Sequence, residues 1–255
     1  MNLLSFFVAV LPVFLIGLYI YKKDVEKEPS ILLFKLFMCG ILSCIPAALI
    51  GLFLDNFFPE MEYMNFWQLI VYLFIVVAFV EELCKWFFVY KIAYNHKEFD
   101  YSYDMVVYAV FTALGFACFE NILYVSISGL FTAIARAFLA VPGHACDGIL
   151  MGLYLGLAKI NSVKGNDKYK KKYILLSLLI PTITHGIYDF CLFTGSFLFV
   201  CIFVIFVITL DIICIIQVKK ISKNSLRFRY KNNFCPLCGT LVNSNFCPRC
   251  GNKNI

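Results

Sequence analysis

Residues 66–91 read FWQLIVYLFIVVAFVEELCKWFFVYK. At about 1.5 Å rise per residue, such a run makes a helix of roughly 39 Å, longer than the ~30 Å hydrocarbon thickness of a bilayer. The fifteen residues up to Val80 carry no charge at all. Glu81, Glu82 and Lys85 then follow within the same apolar run. An ionisable side chain at that depth costs about 2.5–3.5 kcal/mol on insertion scales, so it is expected to face the protein interior, to have partners and to have a function.

Six further stretches have the same length and character: 3–21, 31–54, 104–126, 140–159, 173–192 and 196–217. Ser128–Leu139 is shorter and carries Arg136, and it reads as an interfacial or short helix. The expected fold is therefore an all-α polytopic membrane protein of about seven transmembrane helices plus that short helix, followed by a small cysteine-rich tail. Composition agrees: 62% of residues are hydrophobic and 15% charged, against about half and a quarter in soluble domains. The net charge of +6 is then no nucleic-acid footprint, because its placement in loops matters more than its sum, and the bilayer is the expected partner. No nucleic acid partner is expected. No basic residue precedes the first apolar run and no small-residue cleavage pattern follows it, so that run is expected to be a retained span.

Basic residues gather in alternate connections: Lys22, Lys23 and Lys27; Lys91 and Lys97; Lys164, Lys168, Lys170, Lys171 and Lys172; then Lys219, Lys220 and Lys223. Seven spans put all of them on one side. The positive-inside rule makes that side cytoplasmic, with the N-terminus outside and the C-terminal tail inside a cell membrane. Counting Ser128–Leu139 as an eighth span would strand the Lys168–Lys172 cluster outside.

Four consecutive spans bring acid or imidazole to membrane depth. They carry Glu81, Glu82 and Lys85; Glu120 and Asn121; His144 and Asp147; and His185 and Asp189. Helical spacing allows Glu81 to pair with Lys85 and the two histidines to pair with their neighbouring aspartates. A carboxylate one turn from an imidazole fixes its tautomer and raises its basicity. In one cavity these groups are the parts of a hydrolytic site, with Glu81 or Glu82 as general base on water and Glu120, His144 and His185 completing it. Each also has a structural reading. Glu81–Lys85 can be a plain ion pair, Asp147 and Asp189 orienting groups, Asp104 and Asp211 span-end residues, and Arg136 a side chain that snorkels to a headgroup.

The motifs Glu81-Glu82-Leu83-Cys84-Lys85, Phe116-Ala117-Cys118-Phe119-Glu120, His144, and His185 with Asp189 together resemble the PrsW family of intramembrane proteases. The resemblance covers about half the chain, in the family's order. It implies a protease cutting a membrane-anchored protein near the extracytoplasmic side, with an anti-sigma factor as the substrate type associated with the family. It leaves both a glutamate-dependent and a metal-dependent mechanism open, so a catalytic divalent metal in the membrane site stays an option. His-Glu-x-x-His is absent. The nearest alternatives are prenyl-protein (CAAX) processing and a proton- or ion-coupled transporter, whose relays also use buried acids and histidines. No repeated bundle half of the kind transporters use is visible.

Eight of the 12 cysteines are scattered through apolar runs, where they act as small hydrophobes. The other four form two Cys-x-x-Cys-Gly knuckles, Cys235/Cys238 and Cys247/Cys250, with eight residues between. That spacing is a zinc-ribbon pattern, in which four thiolates close a structural Zn2+ site. Two disulfides are the rival, disfavoured by a reducing cytoplasm. The expected organisation is a protease bundle over 1–220 and a ribbon tail over 231–255.

Overall fold

The computed structural model describes residues 3–227, 235, 237–240, 242 and 246–252. Its helices are α1 (Leu3–Lys23), α2 (Ser30–Asp55), α3 (Phe66–Ala93), α4 (Asp104–Phe138), α5 (Ala140–Val163), α6 (Asp167–Phe193) and α7 (Phe197–Lys223). Six helical runs are long and apolar enough to cross a membrane, and one of these is the 60-residue run Asp104–Val163. That run would be about 90 Å long if straight. Instead it breaks at Gly129 (φ 78°, ψ −161°) and turns at Leu139, so α4 and α5 make two antiparallel passes. The stretch between the break and the turn is the short helix expected at Ser128–Leu139.

α4 is the central helix. Met105, Val106, Val107, Tyr108 and Val110 are each fully buried. The outer helices instead turn Phe14, Leu49, Phe53, Ile205 and Ile208 outward. Lipid tails are as apolar as leucine, so helices in this solvent associate by close backbone approach. A Cβ on Gly40 or Gly115 would lie 2.0 Å from the carbonyl oxygen of Thr112 or Phe37, which fixes the α2–α4 crossing. Along α5, Gly148, Gly152 and Gly156 form a smooth line against α4, and a Cβ on Gly152 would meet Val106 Cα and Met105 O at 2.5 Å.

The start of α3 is set by a capping box. Asn65 Oδ1 accepts hydrogen bonds from the backbone N–H groups of Trp67 and Gln68, and Gln68 Oε1 accepts one from Asn65 N–H. From Tyr72 to Phe79 the helix is wound as a π-helix before α winding resumes at Val80. A π segment changes the direction in which every later side chain points, and such segments recur at functional sites. Phe74 in this segment lies against Gly186, where a Cβ would approach its ring to 2.4 Å. Trp86 donates to Ser177 Oγ at 2.8 Å, a second tie between α3 and α6.

Beyond α7 the chain pairs with the α3–α4 connection, with Ser102 N–H donating to Leu226 O at 2.9 Å. Much of the expected 231–255 tail lies outside the described residues, but the four cysteines are among them. Their sulfurs lie within 4.8 Å of one another, with Cys235–Cys250 and Cys238–Cys247 at 3.5 Å. All four are free cysteines, so the rival disulfide pairing is not formed among them. The two knuckles repeat one geometry. Gly239 and Gly251 both have φ 69°, and each donates its N–H to the first cysteine's carbonyl, at 2.8 and 2.9 Å. Four ligands at about 2.3 Å from one zinc would be roughly 3.8 Å apart, so the cluster is compatible with a zinc ribbon.

Candidate active site

Helices α3, α4, α5 and α6 bring Glu81, Glu82, Glu120, His144, His185 and Asp189 into one linked network. Glu82 is fully buried, and its Oε1 accepts from Lys85 Nζ at 2.7 Å and from His185 Nδ1 at 2.9 Å. Glu81, one residue earlier, is 18% exposed and lies 3.6 Å from Lys85 Nζ and 3.9 Å from His185 Nε2. The i, i+4 pair expected from the sequence is therefore the looser of two, and Glu82 at i, i+3 is the tighter partner of Lys85. His185 Nε2 faces Asp189 at 3.4 Å, the pairing that helical spacing anticipates.

Lys85 Nζ also reaches His144 Nδ1 at 3.3 Å. An ammonium can only donate, so Nδ1 accepts and the ring proton sits on Nε2. That Nε2 donates to Glu120 Oε2 at 2.8 Å. The tautomer of His144 is thus set by Lys85 and Glu120, not by Asp147 one turn away. Asp147 instead accepts from Thr184 Oγ1 at 2.6 Å and lies 4.0 Å from His185 Nδ1. The two imidazoles stand edge to face, 5.4 Å apart.

Arg136 reverses its expected role. It does not reach outward to a headgroup: Nη2 donates to Glu120 Oε2 at 2.7 Å and Nε to Asn121 Oδ1 at 2.8 Å. The break at Gly129 turns the short helix so that this guanidinium points back into the bundle. Asn121 is held in turn by donating to Ala9 O at 2.8 Å. An arginine in a twelve-residue apolar stretch was the available signal, since so costly a charge needs a buried partner. Asp211, read as a span-end residue, lies 3.4 Å from the Cys146 thiol, outside the network.

Two openings reach the network. A groove of about 400 Å³ between α2, α3 and α4 is lined by Glu81, Phe116, Glu120 and Tyr124, and it ends at Tyr72, whose hydroxyl donates to Asp55 at 2.7 Å. A much smaller cavity of about 40 Å³ touches Glu120, Arg136, His144, His185 and Asp189 from the other side. Glu82, His144, Asp147 and His185 each offer one donor atom, all within 4.8 Å of one another. Glu81 Oε2 and Glu82 Oε2 are buried and accept no hydrogen bond among the described residues. Two imidazoles with carboxylates are the nitrogen–oxygen set that catalytic zinc takes, so the donor chemistry fits a metal.

A family model described as PrsW family intramembrane metalloprotease matches residues 28–213. The chain belongs to the PrsW family. Its PrsW relatives include proteins named Protease PrsW from Oceanobacillus iheyensis, 38% identical over 82% of this chain and 91% of the relative, and from Bacillus subtilis, 37% identical over 68% and 76%. A third, from Clostridioides difficile, is 29% identical over 91% of this chain and 97% of its own length. No solved structure matches the chain. PrsW membership makes it a multi-pass membrane protease acting on a protein substrate. The whole ionisable network lies inside the PrsW match, whereas the cysteine cluster lies beyond its end.

Proposed function

We propose that this protein is an intramembrane endopeptidase that hydrolyses a membrane-anchored protein with water activated by Glu81. The carrying observation is the division of labour between the adjacent glutamates. Glu82 is sealed in, with one oxygen committed to Lys85 and His185, whereas Glu81 is partly exposed, only loosely paired with Lys85, and lines the groove. A groove of that size accepts an extended peptide segment and the water to cut it, and a general base must reach both. Glu82 and Asp189 position His185. Arg136 and Lys85 place fixed positive charge beside Glu120, where an oxyanion can be stabilised.

A divalent metal, if bound, would be held by His144, His185, Glu82 and Asp147, and would polarise the scissile carbonyl and acidify a water. The resemblance to the PrsW pattern supports an anti-sigma factor as the substrate type. Since the groove ends at Asp55, at the end of the bundle opposite the lysine-rich loops, cleavage is proposed near the extracytoplasmic side, with the N-terminus outside and the ribbon cytoplasmic. We assign residues 1–220 to the protease bundle and 231–255 to the ribbon, with Cys235, Cys238, Cys247 and Cys250 binding a structural Zn2+.

The test is proteomics of membrane fractions expressing wild type or Glu81→Gln, at matched protein levels. A peptide end made only by wild type is expected. Equal amounts of every cleaved end in both samples would overturn the role of Glu81.

A further inference from the structure

Far from the intramembrane network, at the lysine-rich end of the bundle, three more acids meet. Asp24 and Glu28 come from the α1–α2 connection and Asp104 from the first residue of α4. Asp24 and Glu28 are each 5% exposed and Asp104 fully buried, and one oxygen from each lies within 4.8 Å of the others. Burying three carboxylates together without a counter-charge is costly.

Several of their oxygens are spoken for. Glu28 Oε2 accepts from the Tyr108 hydroxyl, and Asp104 Oδ2 accepts from the N–H groups of Asp100 and Tyr101, at 3.0 and 2.7 Å. Three others have no such satisfaction. Asp104 Oδ1 and both Asp24 carboxylate oxygens are buried and accept no hydrogen bond of normal geometry among the described residues, although the backbone N–H groups of Val25 and Glu28 lie close enough to lower the Asp24 carboxyl in part.

The nearby cations form no ion pair with the three acids, although Lys27 lowers the Asp24 carboxyl in part through space. Lys27 has three N–H donors, and all three go to main-chain carbonyls, those of Tyr21, Lys22 and Asp24, at 2.9, 3.1 and 2.7 Å. Arg227 is committed to Glu26 and Asp100, at 3.4 and 3.2 Å. Among the described residues no Lys, Arg or His nitrogen lies within ion-pair distance of the three carboxylates. Burial accordingly pushes the Asp24 carboxyl up to about 6 and the Glu28 carboxyl up to about 8.

We infer that Asp24, Glu28 and Asp104 form a binding site for one hard divalent cation, separate from the intramembrane site and from the cysteine cluster. All the donors are oxygens, which selects Mg2+, Ca2+ or Mn2+ over thiophilic metals. Metal–oxygen bonds of about 2.0–2.6 Å place two ligands on one ion no more than roughly 4–5 Å apart, matching the observed spacing. The ion would tie the α1–α2 connection to the start of α4, the helix that carries Glu120.

The experiment uses the full-length chain in detergent, stripped with a chelator and dialysed, with Ca2+, Mg2+ and Mn2+ each as probe. Equilibrium binding and thermal unfolding are measured on wild type, Asp24→Asn/Glu28→Gln and Asp104→Asn. All are made in a His144→Ala/His185→Ala background, so that the intramembrane histidines do not contribute. The expected result is one ion bound per wild-type chain with a raised unfolding midpoint, and affinity at least ten-fold weaker in both variants. Equal binding by wild type and the variants would overturn the site. If the variants do not fold, wild type alone decides: absence of binding and of any midpoint shift at millimolar cation would leave the three acids sharing protons instead.

Discussion

Arg136 shows how one side chain joins the short helix to the ionisable network. Its two nitrogens bond Glu120 and Asn121, and both ends of the Glu120 pair are less than a quarter exposed, at 17% and 20%. Removing one member of a buried pair leaves the other charge uncompensated and costs about 3–5 kcal/mol. Arg136→Gln is expected to lose stability on that order in denaturant unfolding of the purified protein, while Arg136→Lys, which keeps the charge but forfeits the bond to Asn121, loses less. Glu81→Gln should behave oppositely. Stability should change little, but cleavage of a tethered reporter in proteoliposomes should fall by about 10²–10⁴, the usual contribution of a general base. A Glu81→Gln enzyme that cuts at the wild-type rate would pass the role to another carboxylate. At this scale the sequence exposed which residues were too costly to be idle. It did not show that Glu82 outcompetes Glu81 for Lys85, nor that Asp147 turns to Thr184 and not to His144.

Helix crossings set those choices. The line Gly148, Gly152 and Gly156 lets α5 lie directly on α4, and so delivers His144 to Glu120. Gly152→Leu would drive a side chain into Met105 and Val106 backbone atoms that cannot yield, and overpacking of that kind costs about 1–3 kcal/mol. Its cleavage rate is expected to drop with its unfolding midpoint, since the two helices part where the network joins them. Gly51→Ala in α2, where an added Cβ meets nothing within 4 Å, is the stability control and should match the wild-type unfolding midpoint. Equal behaviour of the two glycine variants would show that the crossing does not govern the site. The π winding of Tyr72–Phe79 works on the same scale, because it resets the facing of Glu81 and Glu82 just before they are needed.

For the whole molecule, topology and the tail can be tested on intact chains. Glu60→Cys lies in the exposed α2–α3 connection and Lys168→Cys at the exposed start of α6. In a background without native thiols, a membrane-impermeant reagent outside cells should label the first and spare the second, and the reverse pattern would invert the proposed orientation. Cys238→Ser/Cys247→Ser should lower the zinc content of the full chain by one ion, with cleavage reduced less than about three-fold, because a closed thiolate site has structural work and no open position for chemistry. Unchanged zinc content would remove the ribbon assignment. The class of protein, its seven passes and the clustering of the four tail cysteines were all legible in the linear chain. Each rests on a local property: apolar length against bilayer thickness, the cost of charge in lipid, or ligand spacing along a few residues. Which carboxylate meets which imidazole, the inward turn of Arg136 and the meeting of Asp24, Glu28 and Asp104 were settled only by the tertiary fold. They depend on helix rotation and crossing, which a π segment, a break at Gly129 and glycine contacts shift in ways that a regular 3.6-residue period does not encode.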